Sequence, residues 1–251
     1  MRKVSAIFVT VLLFVGAGYS QKLTIAAAAD LRYALTEVTA KYKEVDSSYK
    51  IDLIFGSSGN LYQQIVNQAP FDIYFSADNS YPQKLEEQKL IVGKPKLYAI
   101  GHLVLWSSNK DISKGPQSLQ STDIKKIAIA NPAVAPYGKR AMECLQYYKL
   151  DGALKDKIVI GENVSQAAQF VLTGNADVGI IALSLAISGE MTGKGKYYTI
   201  DEKSYSPLEQ SFVLLKRAEN NKSAANFIKY LSSENVRKIF RKFGFKLPDE
   251  K

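Results

Sequence analysis

The stretch Ile127-Ala-Ile-Ala-Asn-Pro-Ala-Val-Ala-Pro-Tyr-Gly138 decides the fold. The short apolar run 127–130 has the length and composition of a buried strand. Asn131-Pro132 and Pro136-Tyr137-Gly138 break it into a loop. From Lys139 onward Ala141, Leu145 and Tyr148 recur at helical spacing on one face. The stretch therefore predicts strand, proline-rich loop, helix. In that order a helix points its first, unpaired N–H groups at whatever lies over the end of the strand, which makes an anion site.

Working outward, the same device recurs. Residues 23–27 predict a strand, Ala28-Ala29-Asp30 a loop, and Leu31, Ala34, Leu35, Val38 and Tyr42 an amphipathic helix, with Asp30 in the role of N-cap. Residues 49–55 predict a second strand with Ile51, Leu53 and Phe55 on one face. Gly56-Ser57-Ser58-Gly59 ends it, offering flexible backbone and two short hydroxyl donors before a helix through Leu61 and Ile65. Residues 157–160 predict another strand, Gly161-Glu162-Asn163-Val164-Ser165 another loop, and Ala168, Val171 and Leu172 another helix. Strands also fit 71–75, 97–107, 177–183 and 211–215, and helices fit 81–88, 224–231 and 233–240.

Alternating strands and helices predict an α/β chain with mainly parallel sheets flanked by helices. Ligands in such folds bind beyond the carboxyl ends of strands, where helices begin. Two of the four loops precede Leu97 and two follow it. The expected organisation is a leader (1–20), a first lobe (21–96 plus 202–251) and a second lobe (97–201), with the ligand in the cleft between lobes. Hinges are expected near Pro95 and Asp201.

The leader is read from Arg2-Lys3, an apolar run over 4–15 and small residues at Gly18 and Ser20. The run is short for a membrane span. No Cys near the cut suggests a lipid anchor, so the mature chain is expected to be exported, soluble and periplasmic. The formal charge of +9 becomes +7 once Arg2 and Lys3 are removed, because the leader holds no acid. No basic-aromatic motif of a nucleic-acid module accompanies the excess. The single Cys144 forms no internal disulfide and is expected to be buried. The single His102 lies in an apolar run with no metal-binding neighbours in sequence and is expected to be structural.

Those two counts weigh against enzymes. A serine hydrolase using Ser57 or Ser58 needs a base, and His102 is the only histidine. Gly56-Ser-Ser-Gly-Asn60 is not a nucleophile elbow and carries no phosphate-loop lysine. Near the loops the only cations are Arg32, Lys139 and Arg140, each already inside a helix and expected to be solvated surface charge. A cleft of neutral donors and helix starts suits a small dehydrated oxyanion, because each N–H to an anion is a charge-assisted bond.

Ala26-Ala-Ala-Ala-Asp-Leu31, Phe55-Gly-Ser-Ser-Gly-Asn-Leu-Tyr62, Ala69-Pro-Phe-Asp72 with Ser76-Ala-Asp78, Ala130-Asn-Pro-Ala-Val-Ala-Pro-Tyr-Gly138 and Gly161-Glu-Asn-Val-Ser-Gln166 together resemble the signature segments of periplasmic molybdate/tungstate-binding proteins of ABC importers. The resemblance runs from about Lys22 to Phe245. It implies a type II periplasmic-binding-protein fold. It also implies a monomer that docks transiently on a membrane permease, with molybdate or tungstate as ligand. Cofactors and free metal cations are not expected, the molybdenum or tungsten being held as its oxyanion. Asp30, Ser58, Tyr137 and Val164 are the implied contacts, with Ala29, Ser57 and Ala182 secondary. Asp30 departs from the family, which carries Ser or Asn there, and Ala182 stands where some members carry Tyr. A carboxylate beside a dianion repels it. Either Asp30 caps its own helix and offers only its N–H, the preferred account because it needs no unusual pKa, or it is protonated or bonds a protonated ligand. Sulfate and phosphate stay open as alternative ligands.

Overall fold

A computed structural model describes residues 22–47 and 50–250. The expected leader, and Tyr49 at the start of the second predicted strand, lie outside the described residues.

Among the described residues ten strands form two five-stranded sheets. The first holds β1 (Lys22–Ala28), β2 (Lys50–Gly56), β3 (Ile73–Ser76), β4 (Ile91–Gly101) and β10 (Leu208–Leu215), in the order β2-β1-β3-β10-β4. The second holds β5 (Leu103–Ser107), β6 (Ile127–Ala130), β7 (Ile158–Gly161), β8 (Val178–Ala182) and β9 (Lys196–Thr199), in the order β7-β6-β8-β5-β9. In each, three neighbouring strands pair in parallel and a reversed strand, β10 or β5, lies between them and the last strand. Four of five strands thus run the same way, as the alternating pattern predicts. In each sheet the reversed strand is the one that has just arrived from the other.

The central strands β3, β6 and β8 are buried along their whole length. That is why they read as short unbroken apolar runs, not as alternating patterns. Helices α1 (Arg32–Val45), α8 (Lys222–Leu231) and α9 (Glu234–Lys242) cover one face of the first sheet, while α2 (Ser58–Val66) and α3 (Ser80–Glu87) cover the other. Helices α4 (Pro136–Tyr147), α5 (Asp151–Leu154), α6 (Val164–Leu172) and α7 (Leu183–Ala186) build the second lobe. Cys144 is buried on the inner face of α4.

Two details differ from expectation. Residues 97–101 belong to the first sheet: Leu97, Ala99, Ile100 and Gly101 pair with Ser211, Gln210, Glu209 and Leu208. The first crossing is therefore His102, not the neighbourhood of Pro95, which lies inside β4. Only this one residue separates β4 from β5, so no turn residues mark the boundary. The second crossing runs over 200–207, where Tyr205 is buried in the core of the second lobe and accepts the Leu103 N–H at 3.2 Å. His102 Nδ1 meets Glu202 Oε1 at 2.8 Å and ties the two crossings together.

The second difference is where helices start. α4 begins at Pro136, three residues before the apolar periodicity, with proline at its first position, where no N–H is needed. Gly138 is required there: a Cβ would fall 2.1 Å from the Ala130 carbonyl oxygen. The helix start is thereby pressed onto the end of β6.

Candidate functional site

The four loops meet. A cavity of about 10 Å³ is lined by Ala28, Ala29 and Asp30, by Gly56, Ser57 and Ser58, by Ala135, Pro136 and Tyr137, and by Asn163 and Val164, with Ala77 beside them. Drug-sized ligands occupy sites of about 300–1,000 Å³; in this closed form the space is far smaller, about what a single water needs. Three helices begin at it: α2 at Ser58, α4 at Pro136 and α6 at Val164. Their first N–H groups have no partner within the helix and carry the positive end of its dipole.

Each wall has a local cause. Asn163 caps α6 by accepting the Gln166 N–H at 3.1 Å. Asn131 turns the chain after β6, its Oδ1 accepting the Ala133 N–H at 3.0 Å and its carbonyl the Ala135 N–H at 2.8 Å. Ser57 stands at the N-cap position of α2, yet its hydroxyl caps nothing and is buried without a hydrogen-bond partner. Ser58 Oγ accepts the Ala77 N–H at 3.0 Å, which leaves its proton free to donate.

The capping account of Asp30 is overturned. Residues Ala29–Leu31 form a single tight 3-10 turn between β1 and α1. The N-cap position of α1 therefore falls on Leu31, and no side chain caps either segment. Asp30 instead lies 1% exposed, with Oδ2 accepting from Gln210 Nε2 at 2.7 Å. Its Oδ1 is buried without a partner. Gln210 Nε2 also lies 3.2 Å from the Tyr137 hydroxyl, and Gln210 Oε1 accepts the Tyr98 O–H at 2.6 Å. Burial pushes the Asp30 carboxyl up to about 6, against the opposing pull of Gln210, Tyr137 and its own N–H. Burial likewise holds the Tyr98 and Tyr137 phenols well above their ordinary value.

Among the expected contacts, Asp30, Ser58, Tyr137, Val164, Ala29 and Ser57 all line the cavity. Ala182 does not: it ends β8 opposite Leu103, fully buried in the core of the second lobe. In the next turn Ser184 Oγ donates to the Asp30 carbonyl at 2.8 Å. The expected cations stay away. Arg32 lines a separate open groove with Gln166, Gln169 and Glu190, and its guanidinium sits 4.9 Å over the Phe55 ring. Lys139 is exposed, and Arg140, buried and not on the surface as expected, pairs with Glu143 at 2.9 Å. Gln210 and Tyr98 were missed. The available signal is Gln210 itself, an amide within the otherwise largely apolar strand pattern of β10, where a polar side chain is buried only with partners.

The lobes are closed on each other. Gly59 N–H donates to the Val134 carbonyl at 2.8 Å, and Ser165 Oγ to the Ala29 carbonyl at 2.9 Å. Asn60 Nδ2 reaches Glu162 Oε1 at 3.3 Å, and the Tyr33 hydroxyl bonds Glu190.

Two lobes joined by paired crossings and shut over a small cavity define a ligand-trapping binding protein. The chain matches the bacterial extracellular solute-binding protein family over residues 23–246 and belongs to it. It is 33% identical over 234 residues to the molybdate-binding protein ModA of Azotobacter vinelandii, covering 92% of each chain. It is 35% identical to the ModA of Rhodobacter capsulatus, over 88% of this chain and 86% of the relative. The solved periplasmic molybdate-binding protein of Azotobacter vinelandii superposes with a TM-score of 0.85 at 30% identity, covering 90% of this chain and all of that one. The protein is therefore a solute-binding protein, a non-enzymatic class.

Proposed function

We propose that this protein captures molybdate or tungstate as a tetrahedral dianion and delivers it to the membrane permease of an ABC importer. The observation that carries the reading is the cavity itself: three helix starts and the Ala28–Asp30 turn converge on one small space with no cationic side chain in its lining. Two of the orphaned buried side-chain atoms of the described residues, Ser57 Oγ and Asp30 Oδ1, belong to residues that line that space. Ser58 contributes a hydroxyl proton and its N–H, Tyr137 and Val164 their N–H groups, and Ala29, Ser57 and Asp30 complete the shell. Ala182 is left out of the set. Preorganised dipoles hold the charge without a counter-ion, and closure strengthens each contact by excluding water. The relatives named for molybdate support the choice of anion.

The first lobe is then 22–101 plus 208–250 and the second 103–199, with the two crossings as hinge. The mature protein acts as an exported periplasmic monomer without a lipid anchor. Among the described residues no helix is long and apolar enough to cross a membrane. Phosphate is the second reading, because the Asp30 carboxyl offers an acceptor to an anion that carries its own proton.

Calorimetric titration with molybdate, tungstate, sulfate and phosphate tests the choice. Molybdate and tungstate should bind at least a hundredfold more tightly than the other two. Binding of sulfate or phosphate alone would reassign the ligand.

A further inference from the structure

Asp30 lines the cavity assigned above to an anion, and one of its two carboxyl oxygens is buried without a partner. Gln210 Oε1 takes the Tyr98 proton, so the amide must turn Nε2 toward Asp30, where it holds Oδ2. Oδ1 is left buried without a hydrogen-bond partner, on a residue that lines the cavity. A carboxylate in that position would set a negative charge against a dianion inside a space closed to water, where repulsion is least screened. A neutral carboxylic acid there has one O–H to donate, and a bound tetrahedral anion supplies the acceptor.

Resting on the oxyanion reading of the cavity, we propose that Asp30 enters the complex as a carboxylic acid, its Oδ1–H donated to an oxygen of the anion. Each fully ionised anion is thus bound together with one proton taken from the buffer. No covalent bond changes; the buffer acid loses the proton and Asp30 Oδ1 gains it. The groups facing the carboxyl are Gln210 from β10, Tyr98 from β4 and Tyr137 from α4, and both phenols are held neutral by burial. No charged side chain figures among the groups that shift it. Burial already brings its ionisation to about 6 in the ligand-free protein, and a dianion raises it further. Affinity should therefore fall as pH rises above about 6, by about tenfold per pH unit for one linked proton, until the ionisation of the complex is reached.

The test is calorimetric titration of the mature chain with sodium molybdate between about pH 6.5 and 8.5, in buffers of different ionisation enthalpy, beside Asp30→Asn. The wild type should take up about one proton per anion, and its Kd should rise about tenfold per unit. Asp30→Asn should take up none and hold its Kd constant across the range. A wild-type Kd that is flat, with no proton uptake, overturns the proposal, and this measurement needs no variant. So does Asp30→Asn that keeps the wild-type slope. Failure of the wild type to bind any of molybdate, tungstate, sulfate or phosphate would instead remove the assigned function, whereas wild-type binding with Asp30→Asn binding none would overturn the proposal that a neutral donor amide can stand in for the acid.

Discussion

Asp30→Asn should stabilise the ligand-free protein, and should do so only where Asp30 is ionised. The carboxyl is fully buried and its ionisation is raised from 3.8 to about 6. A group whose folded value lies above its unfolded one binds its proton more tightly in the native state. Native stability is then undiminished below the unfolded value and is lost as pH rises toward the folded one. A gap of about two units at about 1.36 kcal/mol each makes the ionised carboxylate cost about 3 kcal/mol at pH 8. Asparagine keeps the carbonyl that accepts from Gln210 and places an N–H where Oδ1 now stands. That donor, left unpaired, costs about 1 kcal/mol. The net gain is about 2 kcal/mol, or roughly 4–8 °C in Tm for a chain of this size. Scanning calorimetry of protein dialysed free of anions, at about pH 4 and pH 8, measures it. The variant should lead at pH 8 and lose that lead at pH 4. A lead of equal size at both values would show that packing, not charge, is responsible. A less stable variant at pH 8 would refute the buried-charge account outright.

Ser58→Ala removes a hydroxyl whose proton is uncommitted while its oxygen accepts the Ala77 N–H. Loss of one charge-assisted bond, about 1.5–3 kcal/mol, should weaken molybdate about ten- to a hundredfold in calorimetry, and an unchanged Kd would exclude Ser58 from the site. Gly59→Ala opposes closure, since its Cβ would stand 2.8 Å from the Val134 carbonyl oxygen across the cleft and 2.6 Å from the mobile end of Tyr81. It should lower molybdate affinity at least tenfold and leave the ligand-free Tm within a few degrees. In small-angle scattering the variant should also show no compaction on adding molybdate. Wild-type affinity with full compaction would show that the Gly59–Val134 approach is not part of closure.

The four strand–loop–helix units were legible because each combines a short apolar run with residues that stop it. Asn131 and Pro136, Gly56 and Ser57, and Gly161 and Asn163 mark their loops by local chemistry, and local chemistry survives tertiary context. Gly161 stands where a Cβ would lie 2.8 Å from the Ala167 N. What escaped depended on partners distant in sequence. Gln210 lies 180 residues from the carboxyl it holds. The Asp30 cap failed because the three-residue 3-10 turn Ala29–Leu31 shifts the frame of the helix start, and hydrophobic spacing does not register such a turn. The boundary at Leu97 failed because β4 and β5 follow one another with His102 alone between them. Apolar periodicity continues across the junction although the sheet changes.

The Ala29–Asp30 turn links closure to occupancy. Its two carbonyls accept hydroxyls from the second lobe, Ser165 on Ala29 and Ser184 on Asp30, while Asp30 also lines the cavity. The opposite wall repeats the pattern: the N–H next to Ser58, on Gly59, reaches the Val134 carbonyl. Ala29, Asp30, Ser58 and Val164 are each therefore clamped by, or adjacent to a residue clamped by, the other lobe. Three such neutral bonds contribute roughly 0.5–1.5 kcal/mol each to the closed form. The ionised carboxylate offsets a similar amount, because closing the lobes removes it from water. An anion whose binding draws a buffer proton onto Asp30 removes that opposition. The chain then needs no lysine or arginine at the anion: the same proton that quenches the carboxylate releases the closure already built into the turn.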